Sequence, residues 1–351
     1  MLSFVYQMMP SRVIFGAGCL EKLPHEIERL GASKALVLST PEQRHSGVDL
    51  VERLGPRAVG LFDRAVMHVP IETAQAAREE AKRLGADCCV AIGGGSTTGL
   101  AKAIALVSEL PILAVPTTYA GSEMTPIWGL TEQGRKTTGR DPRVLPKTVL
   151  YDPSLTLTMP PMLSATSGMN SIAHCIEALY AQEANPIISM IAEDGIRALA
   201  GSLPVVVNEP GNLEARSQAL YGAWLGGIAL GSVGMALHHK LCHTLGGSFN
   251  LPHAETHTVV LPYVVSYNTP AAADAMARAA RALQRDSAAQ GLYDLAQSLG
   301  APLSLAALGM KAGDLDRATD IAVQNPYYNP RPITREGIRA LLQNALEGRR
   351  P

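Results

Sequence analysis

The feature that most restricts this chain is a rhythm in its first 150 residues, where short apolar runs alternate with amphipathic stretches of helical length. Lys34 to Ser39, Ala58 to Phe62, Cys88 to Ile92 and Ile112 to Val115 read as buried strands, and Ile71 to Leu84, rich in alanine, glutamate and arginine, reads as a helix between two of them. Strands alternating with helices predict a parallel sheet covered on both faces. Near Trp128 to Lys147 the pattern turns polar, with Gln133-Gly134 as a hairpin turn. After Asp152-Pro153 the strand pattern stops. Long alanine- and leucine-rich stretches follow, broken by Pro160-Pro161, Pro204, Glu209-Pro210-Gly211, Pro252 and Pro262. The expected fold class is an α/β nucleotide-binding domain, residues 1–155, followed by an all-α domain, residues 156–351.

Composition narrows the function. With 47% hydrophobic and 17% charged residues among 351, the chain can bury a large core and some surface against a second subunit. Thirty basic against 31 acidic residues, a net charge of −1, offer no field for nucleic acid or an anionic membrane. There is no apolar run of about 18 residues and no signal-peptide pattern. Five cysteines without CxxC spacing read as reduced packing residues, so a cytoplasmic location is expected.

The chemistry concentrates in two places. Gly93-Gly94-Gly95-Ser96-Thr97 follows a strand and opens a helix. Glycines allow close approach of a pyrophosphate, and the helix start supplies free N–H donors and positive dipole. A second hydroxyl-rich loop, Thr117, Thr118, Tyr119 and Ser122, follows the next strand; ligands of open parallel sheets bind at these carboxyl ends. The competing reading is a pair of ordinary glycine-rich turns. Ser39 and Thr40 follow the strand ending at Leu38, where an acid would hold the adenosine ribose and repel a 2′-phosphate. With Gln43 and Arg44 there instead, NADPH is expected to be accepted as well as NADH.

The second place is a set of histidines. Asn170 and His174 are four apart, as are His239 and His243, and His253 follows ten residues later. Each pair shares a helix face. His238 lies about 100° round the helix from His239 and is expected to face elsewhere. His257 is left open, and His25, His45 and His68 read as structural.

These residues resemble the iron-containing alcohol dehydrogenase and dehydroquinate synthase-like superfamily, over essentially the whole chain. The resemblance implies an active site in the cleft between the two domains, and maps its metal-ligand positions onto Asn170, His174, His239 and His253, with His243 as an extra histidine near the nicotinamide. Two departures stand out: the usual GGGSxxDxAK phosphate loop has Gly99 in place of aspartate, and the metal aspartate is Asn170. A neutral amide adds no charge to a divalent ion, so no obligatory metal is expected; if one binds, His174, His239 and His253 would hold it.

GGGSTTGLAK, YAGSEMTPIWGLTE and Asn325 to Arg331 resemble one branch of that superfamily, reductases of a carbon–carbon double bond in a keto dicarboxylate. That implies a small dicarboxylate substrate and a homodimer. Hydride addition to such an alkene leaves an enolate, and His243 and His253 are assigned to oxyanion stabilisation and proton delivery. His174, His239 and Asn170 line the pocket. Arg331, with Lys136 and Lys240 next, is the candidate cation for the carboxylates. The alternatives are a zinc- or iron-dependent alcohol or polyol dehydrogenase, a lyase resembling dehydroquinate synthase, and a nucleotide-binding sensor without turnover.

Overall fold

A computed structural model describes residues 4–7, 9, 11–133, 135–324 and 327–351. Gly134 of the anticipated turn, Asn325 and Pro326 of the tyrosine-rich string, and Met8 of the N-terminal segment lie outside them.

The chain divides after Thr158 into two units. The first contains β1 (Arg12–Phe15), α1 (Leu23–Arg29), β2 (Ala35–Leu38), α2 (Arg44–Leu54), β3 (Ala58–Phe62), α3 (Ile71–Leu84), β4 (Cys88–Gly93), α4 (Gly95–Ser108), β5 (Ile112–Pro116), β6 (Ile127–Glu132), β7 (Arg135–Arg140) and β8 (Thr148–Tyr151). Six strands form one parallel sheet in the order β1-β8-β5-β4-β2-β3, while β6 and β7 pair as a separate antiparallel hairpin. β2, β4, β5 and β8 are buried along their whole length, which explains their unbroken apolar runs. Alternate residues serve opposite faces: Val90 and Ile92 join one core cluster, Cys89 and Ala91 the other.

The sheet has two strands more than the four read from the sequence. β8 and β1 are four residues each, and pair in register from Arg12 opposite Thr148 to Phe15 opposite Tyr151. Neither is long enough to show a period of its own. Arg12–Phe15 forms the edge strand of this sheet.

The second unit, Met159–Pro351, groups with Phe4–Gln7 and holds α5 (Pro161–Tyr180), α6 (Pro186–Asn208), α7 (Leu213–Ser232), α8 (Leu237–Phe249), α9 (His253–Asn268), α10 (Ala273–Leu283), α11 (Ala288–Ser298), α12 (Leu315–Val323) and α13 (Arg335–Glu347). Among the described residues it contains no strand. α5 is buried continuously from Ser164 to Tyr180 and packs against α6, α7 and α9, so it is apolar or small on every face. Prolines at 161, 186 and 252 sit at helix starts, where the missing N–H costs nothing. Pro204 and Pro262 were expected to break helices, yet α6 and α9 run through them. Pro262 is itself buried, and packing of α9 against α5, α8, α11 and α13 offsets the lost bond, about 3 kcal/mol in an isolated helix. No single described helix is both long and apolar enough to cross a membrane.

Candidate active site

In the α/β unit, β4 delivers the chain into Gly93 at φ +143°, where a Cβ would fall 2.7 Å from both Gln43 Oε1 and Thr97 Oγ1. Only glycine fits. α4 then begins at Gly95, and Thr97 Oγ1 donates to the Gly94 carbonyl at 2.9 Å. Gln43 Nε2 donates to Thr117 Oγ1 at 2.8 Å, so the loops after β2 and β5 meet across the end of β4. The fold thus gathers Ser39, Thr40, Gly93 to Thr97 and Thr117 to Ser122 at the carboxyl ends of β2, β4 and β5. Arg44, next to Gln43, is committed to Asp63 through a 2.7 Å ion pair.

Lys102, the lysine of the phosphate-loop string, is turned inward. Its ammonium donates to the carbonyls of Ser122 (2.7 Å) and Ile127 (2.8 Å) and to Thr125 Oγ1 (3.0 Å), and burial pushes it down to about 7. It ties the Ser122 loop to the β6–β7 hairpin. At Gly99, where the resemblance places aspartate, a Cβ would stand 2.9 Å from Val69 Cγ2.

In the helical unit, α5 presents Asn170, His174 and Glu177 on one face, four and three residues apart. α8 contributes His238, His239 and His243, and α9 opens with His253 and His257. The rings form a continuous network: His174 to His239 5.1 Å, His239 to His243 6.3 Å, His239 to His257 4.9 Å and His253 to His257 4.3 Å between centroids. Burial first, then repulsion from neighbouring imidazoles, holds His174, His239 and His257 well below the usual histidine range. Those three are neutral at pH 7.

His238 does not face elsewhere. α9 packs across that side of α8, so His238 meets His239 and His257 and its Nε2 donates to the His257 carbonyl at 2.9 Å. The same burial pushes it down to about 4.

The sequence reading missed Glu177, which is fully buried, with Oε2 2.8 Å from His239 Nδ1. Its spacing, three after His174 on a helix, was the available signal. Tyr327 was also passed over; its hydroxyl is buried without a hydrogen-bond partner, and burial and the charge of Glu177 push it up. Lys240 Nζ lies 5.4 Å from the Tyr327 ring. No spacing rule connects Tyr327 to α8.

Arg331 is engaged toward the C-terminal end of α9. It stacks on Tyr267 at 4.2 Å, donates to the Tyr267 carbonyl at 2.9 Å, and lines a separate cavity of about 380 Å³ with Tyr263 and Asn344. On α9, Tyr267 lies ten residues beyond His257 and fourteen beyond His253, about 15 and 21 Å along the helix axis. Lys136 belongs to the α/β unit, on β7.

As to a metal, one group of three possible ligands, His238, His239 and His257, lies within 4.8 Å among the described residues. His174 Nδ1, His238 Nδ1, His239 Nε2 and both ring nitrogens of His257 are buried without a partner in the protein, while Asn170 is neutral and both oxygens of Glu177 are occupied by hydrogen bonds. The donor set is neutral imidazole: it has the nitrogens of a tri-histidine site and lacks the carboxylate that the family resemblance places at position 170.

A parallel-sheet unit with a glycine loop built for phosphate, joined to a helical unit holding a buried histidine cluster, defines a class of nucleotide-using oxidoreductases. The pattern of the family described as iron-containing alcohol dehydrogenase matches residues 10–153, and that of its C-terminal domain matches residues 164–346. The chain belongs to the iron-containing alcohol dehydrogenase family. It is 59% identical over 351 residues, all of both chains, to maleylacetate reductase of Burkholderia cepacia, and 58% identical to that of Sphingobium indicum over 100% of this chain and 99% of the relative. The crystal structure of maleylacetate reductase from Agrobacterium tumefaciens superposes with a TM-score of 0.98 at 54% identity, covering 100% of each chain.

Proposed function

We propose that this enzyme reduces the carbon–carbon double bond of maleylacetate with NADH or NADPH, giving 3-oxoadipate in the bacterial breakdown of aromatic compounds. Full-length identity of 59% to a protein of that activity carries the reading. The neutral histidine cluster, with Asn170 where the family's resemblance places aspartate, supports it.

The α/β unit binds the cofactor: Gly93, Gly94 and Gly95 admit the pyrophosphate, Ser96, Thr97, Thr117, Thr118 and Ser122 supply donors, and Tyr119 lines the nicotinamide side. Ser39 and Thr40 meet the ribose. Hydride passes from the nicotinamide to the alkene carbon remote from the ketone. The electron pair of the double bond moves into an enolate whose charge sits on the ketone oxygen, and a proton then reaches the carbon beside the ketone. Neutral imidazole N–H groups suit the oxyanion. His243 and His253 take that role and proton delivery, Tyr327, whose ring faces Lys240, is a further donor, and His174, His239 and Asn170 shape the pocket. Lys240 replaces Arg331 as the first cation for a carboxylate, with Lys136 second.

No obligatory metal enters this reading, because the donor set lacks an anion. The test is absorbance of the reduced nicotinamide with fresh maleylacetate, with and without chelator. Rapid oxidation unaffected by chelator is expected; activity that vanishes and returns with zinc or iron would favour the alcohol dehydrogenase reading instead. A cytoplasmic homodimer completes the proposal, checked by sedimentation velocity.

A further inference from the structure

We propose that Glu177 is a positioning residue that fixes the tautomer of His239, holding the proton on Nδ1 so that Nε2 is presented to the histidine cluster as a hydrogen-bond acceptor. The catalytic consequence rests on the reductase reading above; the tautomer itself does not.

Four donors converge on this one buried carboxylate. Oε2 accepts the backbone N–H of Ala236 at 2.9 Å and faces His239 Nδ1 at 2.8 Å. Oε1 accepts the backbone N–H of His238 at 2.8 Å and the Tyr180 hydroxyl at 3.2 Å. Two of these are main-chain N–H groups that can only donate. An ionised carboxylate has about four lone-pair sites, and four donors fill them. A proton on Glu177 would reverse the bond to His239 or to Tyr180 and weaken the acceptor that the two main-chain N–H groups need. The two N–H groups also belong to the first turn of α8, where the helix dipole favours an anion.

α8 has no side-chain cap of its own at Ala236. Glu177, reaching across from α5, supplies that cap and binds the ring of His239 with the same carboxylate. The start of α8 and the imidazole of His239 are therefore held by one carboxylate, and turning the ring forfeits its bond to a group that the cap keeps in place. With Nδ1–H committed, Nε2 carries a lone pair. It is buried and has no partner in the protein. Neutral His239 thus accepts a hydrogen bond from substrate, water or a proton-carrying neighbour, and cannot itself be the oxyanion donor. That separates its role from those of His243 and His253.

The experiment is ¹⁵N–¹H correlation spectroscopy on [¹⁵N]histidine-labelled enzyme, with the His239 signals assigned by their loss in His239→Gln. A protonated Nδ1 and bare Nε2 are expected in the wild type, and appearance of the Nε2–H form in Glu177→Leu, which offers no acceptor. Turnover of that variant should fall about tenfold to a hundredfold, as for other partners that orient a working histidine, with cofactor affinity unchanged. A wild-type His239 protonated on Nε2 would overturn the proposal, as would a folded Glu177→Leu that keeps the Nδ1–H form or full turnover. Should the variant not fold, the wild-type spectrum alone decides. If the tautomer is as stated but maleylacetate is not reduced, the functional reading fails and the positioning role stands.

Discussion

Acidification is the perturbation for which the helical unit gives the largest expected effect. His174, His239 and His257 are held well below their ordinary range, and His238 at about 4, all by burial first. In the unfolded chain each titrates near 6.5. Groups with a depressed folded pKa contribute stability that is present above the unfolded value and lost as pH falls toward the folded one. Below about pH 6.5 the unfolded chain binds up to four more protons at these sites. Glu177 and Glu123, raised by burial, act in the opposite sense and subtract at most two. With the histidines of the unfolded chain charged, a net of about two protons remains, a slope of about 3 kcal/mol per pH unit. Between pH 6.5 and 5 that removes about 4 kcal/mol, a large part of the roughly 5–15 kcal/mol that holds a domain together. The assay is the urea midpoint and slope measured at half-unit steps from pH 8 to 5. His257→Gln, which removes one of the depressed groups, should reduce the slope by about 1.4 kcal/mol per pH unit. A stability that changes by less than about 1 kcal/mol from pH 6.5 to 5 would refute the reasoning, because it would mean the cluster is hydrated or already charged in the native state.

Three further outcomes follow from the site. His243→Ala and His253→Ala should each lower turnover about a hundredfold to a thousandfold, measured by steady-state oxidation of the reduced cofactor, with normal turnover removing that residue from the chemistry. Gly93→Ala, which forces a side chain into 2.7 Å contacts at positive φ, should weaken cofactor binding at least tenfold by fluorescence titration, an order-of-magnitude expectation from backbone strain and steric loss at the loop. Arg331→Ala should leave kcat and KM within about threefold of wild type, since its guanidinium stacks on Tyr267 away from the histidines; a KM that rises for maleylacetate would restore it as a carboxylate clamp.

The amino-acid sequence by itself determined the parts of this protein that depend on local order. Strands buried on both faces must be unbroken apolar runs, so β2, β4 and β5 were legible, as were the half-buried edge run β3 and α3 from its helical period. The glycine loop was legible because a phosphate site needs small residues between a strand and a helix start. Spacings of four exposed the helix faces of Asn170 with His174 and of His239 with His243.

Tertiary structure decided the rest, where contacts cross between elements. β1 and β8 are four-residue strands that exist because they pair with each other over more than a hundred residues of chain. Pro204 and Pro262 stay within helices because neighbouring helices hold them there. His238 joined the cluster only because α9 crosses α8. Glu177 reached His239 across 62 positions, and Arg331 found Tyr267 across 64. A period along one element records which side chains share a face; which other element covers that face is settled by packing, and for this protein that choice separates a working histidine from a structural one.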